Sequence, residues 1–282
     1  MIMFRLLLFA HLAAAFAPDA TAQQNNQKIP YGNNSAAGKY FDVGGAKIYF
    51  ETYGQGKPFV LLHGGVYGYI DEFEYFIEKL STQYKVICIA TRGHGKSDAG
   101  NEPYTYEQRA SDAFKLIRSI STDSVAVLGF SDGGYSAFKL AALYPEVVSK
   151  LIVIGAGDFS AKTKSRQFNY TKEKLLKDSP EFFKDRLALM PEPEKWDTVL
   201  SRLNDLYNKS TMSTETFSAI KCPTLIMSGD RDEYSSTEAV LAAAKATKGA
   251  QLSIIPGCGH VVFFCNFAAV WEAIRPFIGS KS

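Results

Sequence analysis

Ser131 is the residue in this chain whose neighbours best prepare it for chemistry. It sits in Gly129-Phe130-Ser131-Asp132-Gly133-Gly134. A Gly-x-Ser-x-Gly run arises by chance often enough that its meaning comes from context. Here an apolar run over 124–128 precedes it and a helical pattern over 134–143 follows it. That is the strand–turn–helix arrangement that lifts a serine hydroxyl out on a sharp turn. The glycines let the backbone turn without a Cβ clash, and a helix N-terminus behind Ser131 favours developing negative charge.

A serine hydroxyl is a poor nucleophile near neutral pH and needs a base beside it. Past residue 22 the chain holds three histidines, His63, His94 and His260. His260, in Gly257-Cys258-Gly259-His260, follows the last strand-like run and is the expected base; His63 and His94 have structural alternatives. The base needs an acid to orient it and stabilise its charge. The order serine, acid, histidine that accompanies this kind of elbow points to Gly229-Asp230-Arg231-Asp232. Asp232 is the expected acid, because it lies further into the loop. Asp230 reads as a turn residue and Asp158 is a third candidate. Two N–H donors must then face the charge that develops on a carbonyl oxygen, each worth about 2.7–4 kcal/mol. The expected donors are the backbone N–H of Asp132 and that of Gly65, in His63-Gly64-Gly65-Val66, with Val66 the second choice. Val66 and Tyr67 are expected to touch substrate, in a partly apolar pocket.

These residues are far apart in the chain, so the fold must bring them together. Residues 41–53 read as a hairpin turning at Gly44-Gly45. Short apolar runs follow at 59–62, 86–90, 125–128, 151–154, 224–227 and 252–255. Several lack polar alternation, which marks strands buried on both faces. Helix-like segments at 71–80, 106–120, 134–143, 237–246 and 267–277 separate them. Strand–helix alternation predicts a mostly parallel, doubly wound α/β sheet. Between 158 and 220 no strand is expected. Helix-like pieces there, at 172–177, 181–190 and 194–208, are broken by Pro191 and Pro193. They read as an inserted helical lid above the strand carboxyl ends, where ligands bind in open α/β sheets.

The remainder of the chain sets bounds. With 282 residues and 46% hydrophobic content it can bury a sizeable core. A net charge of +2 gives no reason to invoke nucleic acid or acidic lipid. Arg5, a short apolar run over 6–17 and Ala20-Thr21-Ala22 together read as a secretory signal peptide over residues 1–22, cleaved near Ala22/Gln23, which implies export to the periplasm or beyond. Residues 23–38 read as a flexible linker and 39–282 as the folded domain. No integral membrane segment is expected in the mature chain. Cys88, Cys222, Cys258 and Cys265 fit no zinc pattern. Cys88 and Cys222 read as buried apolar residues. Cys258 and Cys265 flank His260; an oxidising compartment would permit a disulfide, but two free thiols are the expectation.

Five motifs in order — His63-Gly64-Gly65, Arg92-Gly93-His94-Gly95-Lys96-Ser97, the Ser131 elbow, Gly229-Asp230-Arg231-Asp232 and Gly257-Cys258-Gly259-His260 — resemble the α/β-hydrolase family from about residue 40 to the C-terminus, lid excepted. The resemblance implies a Ser–His–Asp hydrolase of small molecules, with no metal and no cofactor, carrying the triad at Ser131, His260 and Asp232. Two departures stand out. Ala90 replaces an Asp that many relatives carry ahead of the Arg-Gly pair, and no acidic residue follows His260 closely. Gly-x-Ser-Asp-Gly-Gly is similar to the biphenyl-hydrolase-like group, which includes amino-acid ester hydrolases. That similarity implies a substrate-binding role for the Asp132 side chain, pairing with an ammonium; serving the helix N-terminus is the alternative. A serine nucleophile argues against dehalogenase or epoxide hydrolase chemistry. Carboxylic ester hydrolysis is the leading expectation, with acyl transfer, carbon–carbon bond hydrolysis on the same triad, or a weakly catalytic ligand receptor as rivals.

Overall fold

Phe59, Val60, Leu61 and Leu62 are all buried, so a strand there must be covered on both sides. In the computed structural model, which describes residues 28–160 and 167–279, it is. Val60 and Leu62 point into one apolar cluster, while Phe59 and Leu61 point into another on the opposite face. The strand they form, β3 (Lys57–Leu62), lies inside an eight-stranded sheet with β1 (Gly38–Asp42), β2 (Lys47–Tyr53), β4 (Tyr84–Ile89), β5 (Val125–Phe130), β6 (Val148–Ile154), β7 (Thr224–Gly229) and β8 (Gln251–Ile255). The order is β1-β2-β4-β3-β5-β6-β7-β8. β1, β2 and β4 pair antiparallel, and every later pairing is parallel.

Helices cover both faces, as a doubly wound sheet requires. α1 (Glu74–Leu80) and α10 (Phe267–Gly279) bury Phe76, Ile77, Val270 and Ile274 on one face. α2 (Tyr106–Ile120), α3 (Asp132–Leu143) and α8 (Thr237–Ala246) bury their apolar stripes on the other. Between β6 and β7 the chain inserts α4 (Lys172–Asp178), α5 (Pro180–Leu189), α6 (Trp196–Lys209) and α7 (Thr214–Ala219); a four-residue helix, α9 (Val262–Cys265), follows β8. The expected break at Pro191 and Pro193 falls between α5 and α6. α7 is the one insertion helix without a counterpart in the sequence reading: six residues are too few for a periodic signal. No helix among the described residues is long and apolar enough to cross a membrane.

After β3 the chain steps to one side, to β4, and after β4 it returns to the other side, to β5. The loops at the carboxyl ends of β3 and β5 therefore diverge and leave a crevice, the usual ligand position in such sheets. The residues expected to do chemistry belong to the loops at this edge.

The linker expectation for 23–38 is corrected over its described part. Tyr31 is buried, and the N–H groups of Gly32 and Asn34 donate to Glu51 at 2.7 and 2.9 Å. Glu51, fully buried on β2, also accepts from the hydroxyls of Tyr49 and Tyr53, each at 2.7 Å. A buried carboxylate needs such donors, and the segment ahead of β1 supplies two of them. The expected signal peptide, residues 1–22, and the first linker residues lie outside the described residues.

Glu51→Ala leaves these donors without an acceptor in the interior. It should cost about 3 kcal/mol of stability and open residues 30–38 to proteolysis. Chemical denaturation and limited digestion measure both effects, and an unchanged midpoint would contradict the role given to Glu51.

Candidate active site

The backbone at Ser131 has φ 52° and ψ −115°, and Ser131 is the only non-glycine residue with positive φ among the described residues. Such geometry costs about 1–3 kcal/mol and persists only where the surroundings impose it. Here β5 ends at Phe130 and α3 begins at Asp132, so the whole reversal falls on Ser131. Glycines make it possible. A Cβ on Gly133 would collide with the carbonyls of Leu62 and His63, and one on Gly129 with the backbone of Gly133. The absence of side chains lets α3 press against the ends of β3 and β5.

Three side chains meet there. His260 Nδ1 lies 2.9 Å from both carboxylate oxygens of Asp232, and His260 Nε2 lies 2.8 Å from Ser131 Oγ. Because a carboxylate only accepts, Nδ1 carries the proton and donates to Asp232. Nε2 is then the acceptor for the Ser131 hydroxyl. Asp232 is itself fixed by the N–H groups of Tyr234 and Ser235, which donate to Oδ1 at 2.8 Å each. The imidazole sits between the rings of Phe130 and Tyr234, at centroid distances of 5.0 and 4.7 Å. Gly155, at φ 65°, keeps its place only without a side chain, since a Cβ would stand 3.1 Å from His260 Cε1.

The other candidates stand apart from this contact. Asp230 is exposed in the turn, and Asp158 accepts the N–H of Ser160 at 2.8 Å. His63 is buried, accepts the Thr91 N–H on Nε2 at 3.0 Å and donates from Nδ1 to the Gly64 carbonyl at 2.6 Å. His94 is buried beside it. Burial drives both imidazoles toward the neutral form, His63 well below its ordinary value and His94 down to about 3. Both are structural supports of the loop that carries Gly65.

That loop is held at several points. The Gly64 N–H donates to Glu72, the Gly64 carbonyl accepts from His63, and the Gly65 carbonyl accepts the Gly68 N–H at 2.6 Å. Among the described residues, the N–H groups of Gly65 and Asp132 have no acceptor within the protein. The two residues adjoin: a Cβ on Gly65 would lie 3.5 Å from Asp132 Cβ. This leaves two free donors beside Ser131, the arrangement an oxyanion needs.

Ser131, His260, Gly65, Val66, Tyr67 and Asp132 all line one cavity of about 560 Å³. Its walls are largely aromatic. Phe168, Tyr170, Phe182 and Tyr207 come from the insertion, and Tyr106, Tyr135 and Tyr234 from the main domain.

Asp132, expected as a substrate ammonium partner, lines the cavity but already faces a cation inside the protein. Its carboxylate makes a buried ion pair with Arg109 of α2 and accepts the Tyr207 hydroxyl at 3.3 Å. Asp132 and Arg109 are each about 3% exposed; both contacts use Oδ2, and Oδ1 has no hydrogen-bond partner among the described residues. The carboxylate opposite it raises the Arg109 pKa against the effect of burial. The sequence held one signal for this. Arg109 and Asp112 fall on the same α2 face as Ala110, Ala113, Leu116 and Ile117, so a charge there must find a buried partner. Asp112 pairs with Arg92, at 2.7 Å, in the same way.

A second correction concerns the thiols. Cys258 and Cys265 form a disulfide with Cα atoms 5.8 Å apart. The bridge closes a ring around His260, and the carbonyl of Cys258 accepts the Arg231 N–H at 3.0 Å, tying that ring to the Asp232 loop. Cys88 is a buried free thiol as expected, whereas free Cys222 is half-buried.

Two outcomes follow from this geometry. Asp132→Asn strands Arg109 as a buried, unpaired cation and should cost about 3–5 kcal/mol. Cationic and neutral substrates should then lose turnover by the same factor; a selective loss for cationic ones would restore the ammonium role. Replacing Cys258 and Cys265 by Ala removes an eight-residue closure and should cost about 2.5 kcal/mol on chain-entropy grounds, read as a lowered Tm against the oxidised parent.

Comparison with known proteins agrees with this architecture. The chain is 25% identical over 229 residues to the serine hydrolase BPHL of Mus musculus, covering 77% of this chain and 78% of that protein. It is 27% identical over 258 residues to the AB hydrolase superfamily protein YisY of Bacillus subtilis, covering 83% and 96%. Among solved structures, a serine hydrolase involved in carbazole degradation superposes with a TM-score of 0.73 at 20% identity, over 86% of this chain and 99% of that one, a likeness of fold. The model of the alpha/beta hydrolase family matches residues 59–273, a stretch that contains both loops of the crevice and all three convergent side chains. The chain therefore belongs to the alpha/beta hydrolase family and is a hydrolase.

Proposed function

We propose that this protein is a serine hydrolase that cleaves a carboxylic ester, or a closely related acyl bond, of a small molecule bearing an apolar or aromatic group. The observation that carries this reading is the unbroken line of hydrogen bonds from Asp232 through His260 to a strained Ser131. His260 Nε2 takes the Ser131 proton as Oγ attacks the carbonyl carbon. The negative charge that develops on the carbonyl oxygen rests on the N–H groups of Gly65 and Asp132. Asp232 stabilises the imidazolium without taking its proton. The imidazolium then gives that proton to the leaving alkoxide, and the acyl group stays on Ser131. Water, deprotonated by His260, attacks the acyl-enzyme; carboxylic acid leaves and Ser131 regains its proton.

The cavity volume suits a small ligand. Its aromatic walls favour an apolar acyl or leaving group, since aromatic surface gains from burial. The insertion acts as the lid in this reading, because Phe168, Tyr170, Phe182 and Tyr207 close the cavity opposite the sheet. Export fits the Cys258–Cys265 disulfide, a bond that persists in an oxidising compartment.

Hydrolysis of short p-nitrophenyl esters should fall on the order of 10⁶-fold in kcat for Ser131→Ala, as for other serine enzymes stripped of their nucleophile. A fluorophosphonate should label the parent at Ser131 and leave the variant unlabelled. Equal turnover by both proteins would end the assignment.

A further inference from the structure

Glu72 is a carboxyl group on the wall of the cavity that the mechanism above does not use. It lies in the short turn Ile70–Phe73, ahead of α1. Its Oε1 accepts the Gly64 N–H at 2.6 Å. Its second oxygen is close to the same residue, since a Cβ on Gly64 would lie 3.4 Å from Oε2 and 3.1 Å from the Phe130 ring. Gly64 is thus wedged between Glu72 and Phe130, and the next peptide carries the free N–H of Gly65.

We propose that Glu72 is a positioning residue of this site, which fixes the Gly64–Gly65 peptide so that the Gly65 N–H faces the reacting carbonyl oxygen. This inference rests on the serine hydrolase reading and deepens it. A Gln would hold the peptide equally well, so the distinctive property of a carboxyl group here is that it ionises.

The charged groups facing Glu72 are Asp71 on its own turn, Arg186 from α5 and Asp132 at the elbow. Arg186 is largely committed, to Asp71, through two hydrogen bonds of 3.0 and 2.8 Å. Asp132 is committed to Arg109. Arg186 is therefore shared: its two terminal nitrogens serve Asp71, its Nε makes no hydrogen bond among the described residues, and its charge compensates a carboxylate at position 72 only in part. Burial, with the negative charges of Asp71 and Asp132 adding and the Gly64 N–H and Arg186 opposing, pushes the Glu72 pKa up to about 8. Below that pH the acid is neutral and leaves the developing oxyanion to the two N–H groups. Above it, a negative charge appears next to the place where the transition state also becomes negative, and the two repel. Turnover therefore falls as pH rises through the Glu72 pKa, and the loss lies in kcat, because the oxyanion exists only in the transition state.

The test compares the parent, Glu72→Gln and Glu72→Leu from pH 6 to 10. Two readouts are used: kcat and KM for p-nitrophenyl butyrate, and the rate of fluorophosphonate labelling at Ser131, which draws on the same two N–H donors. Tm of each protein verifies folding. The parent should show an alkaline decline centred near pH 8 in both readouts. Glu72→Gln should lack that decline, and Glu72→Leu should lose about tenfold or more in kcat at every pH with little change in KM. Glu72→Gln should recover most of what Glu72→Leu loses. An alkaline decline that persists unchanged in Glu72→Gln, or a Glu72→Leu protein as active as its parent, overturns the role of Glu72 while leaving the hydrolase reading intact. A parent that neither hydrolyses the ester nor takes the label overturns both.

Discussion

Between the N-terminus of α3 and the ends of β3 and β5 there is no room for a single Cβ. Gly133 lies against the carbonyls of Leu62 and His63, and Gly129 against the backbone of Gly133. That contact ties the elbow, the Gly65 loop and the sheet into one rigid corner. It forces the backbone reversal onto Ser131, brings Asp132 beside Gly65, and leaves their N–H groups without an acceptor among the described residues. The geometry of the candidate site is thus a property of backbone packing first and of side-chain chemistry second. Side chains at these glycines would push α3 outward and separate the nucleophile from the donors that serve it.

Beneath that corner the charges are settled in pairs. Asp132 faces Arg109, and Asp112 faces Arg92, all largely out of water. Buried pairs of this kind add little net stability, because desolvation offsets most of the attraction, but breaking one is costly. Their effect here is electrostatic quiet. The acid next to Ser131 faces a cation behind it, so under the proposed mechanism its repulsion of an oxyanion in front of it is reduced. Glu72, beside the Gly65 loop, is half-buried, and its raised pKa works in the same direction.

Much of this was legible in the chain. Strands buried on both faces announce themselves as continuous apolar runs, and the motifs at their carboxyl ends follow from the requirements of an elbow, a base and an acid. α2 and α8 span the residues that periodicity indicates. What escaped has a common physical character. Arg109 and Tyr207 matter through contacts with residues 23 and 75 positions away, and no local pattern encodes such a pairing. The disulfide escaped because two cysteines at a spacing of seven are equally compatible with free thiols until the path of the loop is known. Residues 30–38 look like a polar linker because their anchoring uses backbone N–H groups, which every sequence has, and a carboxylate on a distant strand.

The histidine loop departs from β8, the outermost strand of the sheet, which pairs with β7 alone and has exposed residues at its start. Edge strands are where a sheet frays first, and a loop hung from one inherits that looseness. Seen this way, the sulfur bridge around His260 is a splint on a loop that leaves an edge strand, and it restricts how far the imidazole can drift from Ser131.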